Sequence, residues 1–208
     1  MIEAVVFDLD GVLVDSEQVW DQARRDVVAA HGGTWKDSAT RDMLGMSSPE
    51  WSAYVVEELG VPLTPEQVNA AVVEAMLANY RKHLPLLPGA REAVERLGAR
   101  YPLGLASSSN RPVIDLVLEL MGVADRFKAT VSSEEVARGK PAPDVYEEVV
   151  RRLGVSKAAA IEDSEAGIRS AHAAGLYVIA IPNLHFPPSE EALALAHEVH
   201  PNLDAVTL

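Results

Sequence analysis

Apolar and polar positions alternate along this chain with two different rhythms. The run Ala4-Val5-Val6-Phe7 is continuous, β-branched and aromatic, and too short for a helix, so it reads as a buried strand. From Asp15 to His31 the rhythm becomes helical: Val19, Ala23, Val27 and Ala30 recur at spacings of three and four, and Gly32-Gly33 stops the pattern. Helical segments follow without strand signal, at Ser38–Leu44, Pro49–Leu59 and Pro65–Leu84. Thr64-Pro65-Glu66-Gln67 reads as an N-cap, a first-turn proline and an acidic residue at a helix start. The stretch Leu84-Pro85-Leu86-Leu87-Pro88-Gly89 breaks the run and reads as a linker.

Beyond it, helices and short apolar runs alternate. Helices are predicted over Ala90–Ala99, Pro112–Met121, Ala142–Leu153 and Glu165–Ala174. Strands are predicted over Leu103–Ala106, near Ala129–Ser132, and over Ala158–Ile161 and Tyr177–Ile181. This alternation predicts an α/β fold with a parallel sheet covered on both faces. Residues 1–15 and 86–208 are then a discontinuous α/β core, and residues 16–85 a helical insert after its first strand. The segment after Pro187 reads as a helix and a weak strand.

Composition narrows the setting. Of 208 residues, 48% are hydrophobic and 24% charged, as in ordinary globular proteins. There is no cysteine, which excludes disulfides and thiolate chemistry. No apolar run reaches membrane-spanning length, and Met1-Ile2-Glu3 leads straight into a strand; a cytoplasmic protein, monomeric and without membrane partners, is expected. The net charge of −13, from 18 Lys+Arg against 31 Asp+Glu, argues against nucleic acid as a partner. It also means that an anionic substrate needs a locally positive site.

The candidate chemistry begins where the first strand ends. Asp8 and Asp10, at i and i+2, project to the same side, and Gly11 eases a turn. Two anions so close need a cation, a shared proton or a chemical purpose; a lone Asp-x-Asp-Gly is otherwise a solvated turn. The whole string Val5-Val6-Phe7-Asp8-Leu9-Asp10-Gly11-Val12-Leu13-Val14-Asp15-Ser16-Glu17 resembles the first motif of the haloacid dehalogenase-like superfamily, in its branch of sugar phosphatases and β-phosphoglucomutases. The resemblance implies a Rossmann-like, three-layer core with a helical cap. It also implies an Asp8 nucleophile that becomes phosphorylated, Asp10 as general acid and base, and Mg²⁺ as cofactor. Dehalogenases of the superfamily lack the second aspartate, so its presence points to phosphoryl transfer.

The remaining candidates each follow a predicted strand, where open parallel sheets bind ligands. Ser107, in Ser107-Ser108-Ser109-Asn110, is either a helix cap or a donor to a phosphoryl oxygen, and it matches the second motif. Ser108, Ser109 and Asn110 are candidate substrate contacts. Lys140, in Gly139-Lys140-Pro141-Ala142-Pro143-Asp144, matches the third; prolines stiffen the turn behind it, and its charge would offset the two aspartates. Glu162-Asp163-Ser164 matches the fourth. Asp8, the main-chain carbonyl of Asp10 and Asp163 would be the metal's protein ligands, with Glu162 acting directly or through water.

These readings converge on an Mg²⁺-dependent phosphomonoesterase whose partner is a small phosphate ester, with sugar and polyol phosphates expected. A hexose-phosphate mutase and a non-catalytic phosphometabolite binder are the alternatives. The β-phosphoglucomutase pattern places cap cations where this chain has Trp20, Ser48 and Met76, although Arg41, Arg81 and Lys82 are nearby. Glu17, Trp20 and Trp51 are the candidate cap contacts, the two indoles forming an apolar wall. The six histidines read as surface or packing residues.

Overall fold

The computed structural model describes residues 1–43 and 46–208. Six parallel strands form one sheet in the order β3-β2-β1-β4-β5-β6, with β1 at Ala4–Phe7, β2 at Leu103–Ser107, β3 at Phe127–Ser132, β4 at Ala158–Glu162, β5 at Tyr177–Ala180 and β6 at Glu198–Val199. In register, Val6 lies between Gly104 of β2 and Ala160 of β4. The chain runs outward from β1 through β2 to β3, then returns to the other side of β1 at β4. This reversal opens a crevice at the carboxyl ends of β1, β2 and β4.

Successive side chains of β1 point to opposite faces. Val5 and Phe7 join one hydrophobic core, Ala4 and Val6 the other. Helices α5 (Ala90–Gly98) and α6 (Arg111–Met121) bury Val94, Leu97, Ile114 and Val117 on the first face. Helices α7 (Asp144–Leu153) and α8 (Glu165–Ala173) bury Tyr146, Val149 and Ile168 on the second. The predicted α/β class and three-layer core are therefore present.

Between β1 and α5 lie α1 (Glu17–Ala30), α2 (Ala39–Asp42), α3 (Ser48–Glu57) and α4 (Pro65–Lys82). Their apolar faces (Trp20, Val27, Trp51, Val55, Val72 and Met76) join the same core as Phe7 and Leu105. The two connecting segments run side by side: the Leu87 amide donates to the Leu13 carbonyl at 3.0 Å, and Asp15 to Pro85 at 2.8 Å. After β5 come a short helix, α9 (Glu190–Leu193), and β6, as the C-terminal pattern suggests. No helix among the described residues is long and apolar enough to cross a membrane.

Where element ends differ from expectation, proline chemistry accounts for much of it. The helix predicted from Ala142 begins at Asp144, because a residue preceding proline is pushed out of the helical region. The same restriction on Leu84 before Pro85 ends α4 at Lys82. The start of α4 is closed by Gln67 rather than by the acidic Glu66: Thr64 and Gln67 exchange bonds of 3.0 and 3.3 Å in a capping box. Of the segment predicted over Ser38–Leu44, Ala39–Asp42 is helical, and Leu44 lies outside the described residues.

Candidate active site

The crevice gathers all four motif segments. Asp8 is buried just beyond β1, and Lys140 donates to its Oδ1 at 2.7 Å. The same ammonium donates to Glu162 Oε1 at 2.6 Å and to the Ala106 carbonyl at 3.0 Å, using all three of its protons. Glu162 is fully buried at the end of β4. It also accepts from the Tyr146 hydroxyl at 2.6 Å through Oε1, and from the Asp163 amide and Ser164 hydroxyl through Oε2. These contacts make Glu162 an anchor of Lys140. A β-carbon at Gly167 would lie 1.9 Å from its carboxylate, so helix α8 comes this close only with glycine there.

Asp163 completes the acidic cluster. Asn183, just past β5, donates to its Oδ2 at 2.9 Å. Gly11, at φ 80°, makes room for the same carboxylate: a β-carbon there would stand 1.9 Å from Oδ2. Asp10 is half-buried. Its Oδ1 accepts from the Trp20 indole at 3.1 Å, and its Oδ2 faces the hydroxyls of Ser109 at 2.6 Å and Ser107 at 3.4 Å. Ser107, fully buried, also accepts from the Ser109 amide at 3.0 Å. Its hydroxyl is thus aimed at Asp10, not at the open pocket, where Ser108 is the exposed serine of the three.

Burial raises the Asp8 carboxyl well above its usual range; Lys140 opposes this, and Glu162, Asp163 and Asp10 add to it. Burial, then Glu162, pushes Asp163 up to about 8. Burial works to lower Lys140, but Asp8 and Glu162 more than offset that and hold it charged. Asp8, Glu162 and Asp163 each offer an oxygen within 4.8 Å of one another, served by one ammonium. Buried carboxylates in excess of their cations, all offering hard oxygen donors, fit a divalent ion such as Mg²⁺.

A pocket of about 900 Å³ opens from this cluster towards α1 and α3. Glu17, Trp20 and Trp51 border it, as the sequence suggested. The expected apolar wall also carries a charge. Trp20 and Trp51 sit 6.3 Å apart, and the Arg24 guanidinium lies over both rings, 5.3 and 5.0 Å from their centroids. Burial lowers Arg24 to about 10, against the fields of Asp21, Asp10 and Glu17. Burial also raises Glu17, with His185 opposing. His185 borders the pocket too, as an exposed residue at its rim. Asn110 does not border this pocket. It is buried, and it bonds Ser48 and Asn69 of the inserted helices and Glu134 of the core, at 3.3, 3.3 and 2.5 Å. Of the three cations near the positions compared with the mutase pattern, Arg41 borders the pocket, while Arg81 and Lys82 are exposed on α4 and Met76 is core.

The sequence reading missed Tyr146, Asn183, Arg24 and His185. Only Asn183 carried a usable signal, since it follows a strand end as every recognised motif does.

Comparison with known proteins agrees with this geometry. Residues 2–175 match the profile of the haloacid dehalogenase-like hydrolases. Hexitol phosphatase B of Escherichia coli K12 is 35% identical over 189 residues, covering 87% of this chain and 84% of that protein. A bifunctional riboflavin kinase/FMN phosphatase of Arabidopsis thaliana is 32% identical over 184 residues; the match takes in 86% of this chain but only 48% of that longer protein. CbbY of Rhodobacter sphaeroides, crystallised with phosphate, superposes with a TM-score of 0.89 at 27% identity, over 99% of this chain and 96% of that one. With the two aspartates, the buried lysine and the fourth-strand carboxylates in one crevice, the chain belongs to the haloacid dehalogenase-like hydrolases and is a phosphatase.

Proposed function

We propose that the enzyme is an Mg²⁺-dependent phosphomonoesterase of sugar or polyol phosphates that works through an aspartyl phosphate on Asp8. The observation that carries this reading is the contrast between its two aspartates. Asp8 is buried against a charged lysine, an environment for a nucleophile in contact with an anionic ester. Asp10 is half-exposed, and its Oδ2 faces only hydroxyls. Hydroxyls accept as readily as they donate, so that oxygen can carry a proton or release it. Oδ1, facing an indole N–H, serves only as an acceptor.

In the first half-reaction, Asp8 attacks phosphorus in line. The bond to the leaving oxygen breaks, and Asp10 gives that oxygen its proton. In the second, Asp10 takes a proton from water. The water oxygen bonds to phosphorus, the bond to Asp8 breaks, and inorganic phosphate leaves. Lys140, held by Glu162 and Tyr146, stays charged beside Asp8 throughout and offsets charge on the phosphoryl oxygens. Ser108, which borders the pocket, serves in this reading as a further donor. Asp8, the Asp10 carbonyl and Asp163 would hold Mg²⁺, which when bound supplies the positive charge that two buried carboxylates and a phosphate require.

Residues 16–85 act in this reading as a cap over a core of residues 1–15 and 86–208, opening about the paired linkers to admit substrate. We place the enzyme in the cytoplasm, as a monomer. The test is phosphate release with Mg²⁺ across sugar, polyol and nucleoside monophosphates. Arg24 and Arg41 at the pocket keep the mutase alternative measurable, so β-glucose 1-phosphate with catalytic glucose 1,6-bisphosphate belongs in the panel. Isomerisation outpacing phosphate release by about tenfold overturns the hydrolase.

A further inference from the structure

Arg24 stands on the face of α1 that carries Glu17 and Trp20, at spacings of seven and four. Its contact with two indoles offsets part of the loss of solvent. It does nothing for the hydrogen bonds. Nε is buried and meets no acceptor, and among the described residues Arg24 forms no ion pair. Each carboxylate whose field reaches it is engaged elsewhere or stands apart. Asp21 takes Arg25 at 2.6 Å and Thr40 at 2.5 Å. Asp10 takes Trp20, Ser109 and Ser107. Glu17 has its own Oε2 buried and without a partner.

This is an unusual position for a guanidinium in a chain of net charge −13, where acceptors are plentiful. Arg24 is half-buried with its Nε fully enclosed, and a charge drawn part of the way out of water without a partner is costly unless something pairs with it. Arg24 borders the pocket, and the indole beneath it reaches Asp10. A substrate whose leaving oxygen sits at Asp10 therefore extends along Trp20 towards Arg24. The planar fork of a guanidinium suits a carboxylate or a phosphoryl group better than it suits a neutral hydroxyl.

We propose that Arg24 is a specificity-determining residue that binds a second oxyanion, a carboxylate or a further phosphoryl group, at the end of the substrate remote from the scissile ester. This rests on the phosphatase reading and narrows it: the preferred substrates are sugar or polyol phosphates with two anionic ends.

Three open-chain compounds test it: sorbitol 6-phosphate, 6-phosphogluconate, which replaces one terminal alcohol by a carboxylate, and mannitol 1,6-bisphosphate. With Mg²⁺ present, kcat/KM for at least one of the doubly anionic pair exceeds that for sorbitol 6-phosphate by tenfold or more. In Arg24→Gln that ratio falls below about threefold, through KM more than kcat, and Arg24→Lys keeps part of it. Calorimetric binding of the same compounds to Asp8→Asn reads the preference without turnover. Absence of hydrolysis in the wild type would therefore count against the phosphatase reading, and the binding ratio would still decide this one. A wild type without the preference overturns the proposal, whatever the variants do. So does an Arg24→Gln enzyme that retains the ratio, which would assign it to another cation such as Arg41. Equal losses on all three substrates mark Arg24 as merely structural and overturn it as well.

Discussion

The two walls of the pocket are built on opposite rules. At the sheet edge nearly every polar atom is satisfied: Lys140 spends three protons on three acceptors, and both oxygens of Glu162 are engaged. On the helical wall Arg24 Nε and Glu17 Oε2 are buried without partners. Satisfied groups hold fixed positions, as the reacting atoms of an ester common to all substrates require. Unsatisfied groups await what the protein does not supply, and that is where substrates differ.

Removing Asp8, the proposed nucleophile on the fixed wall, should have the largest effect. Asp8→Asn leaves an amide that neither attacks phosphorus nor bears the charge a metal needs. Activity should fall at least about a hundredfold with an unchanged circular dichroism spectrum. Residual phosphate release above a per cent or so would remove Asp8 from its role. Lys140→Met comes next, since it strands two buried carboxylates. Urea denaturation should show a loss of about 3–5 kcal/mol, together with loss of turnover. A stability within about 1 kcal/mol of wild type would mean that the sheet-edge network is not tightly coupled.

Asp163→Ala should leave folding intact but raise the Mg²⁺ concentration needed for half-maximal activity by tenfold or more, and chelator should abolish wild-type turnover. An unchanged metal titration would remove Asp163 from the ligand set. The smallest effect lies outside both walls. Burial alone would push Glu135 up, but the Ser132 amide and the guanidiniums of Arg111 and Arg152 hold it down to about 2. A carboxyl held below its unfolded value stabilises the fold above that value and ceases to do so as pH falls through the folded one. The difference in Tm between wild type and Glu135→Gln should therefore shrink as pH drops from about 5 to about 2. A difference independent of pH would show that the clasp is not electrostatic.

The same division explains what could be read from the chain. Asp8, Asp10, Lys140 and Asp163 lie beside strand ends or proline turns, where local sequence fixes backbone position, and Ala4–Phe7 was legible to the residue as a strand. Tyr146 reaches Glu162 from the first turn of α7, and nothing local in Asp144-Val145-Tyr146 distinguishes it from a core aromatic. Arg24 on an amphipathic helix looks like any solvated arginine. Its environment is made by Trp51, on another helix, and no spacing along the chain encodes that contact. Asn110 reads as one of a loop's polar residues; only the packing of α3 and α4 onto the sheet region turns it into a link between the two.

The stitched linkers bear on how such an enzyme changes its substrate. The chain leaves the α/β layers at Leu13–Asp15 and re-enters at Pro85–Leu87, through segments close enough to share backbone hydrogen bonds. An insert of different length or shape needs only to bring its two ends to that one doorway. In the proposed reading, the helical wall, Arg24 included, can then be rewritten by recombination or by point substitution while Asp8, Asp10 and Lys140 keep their places.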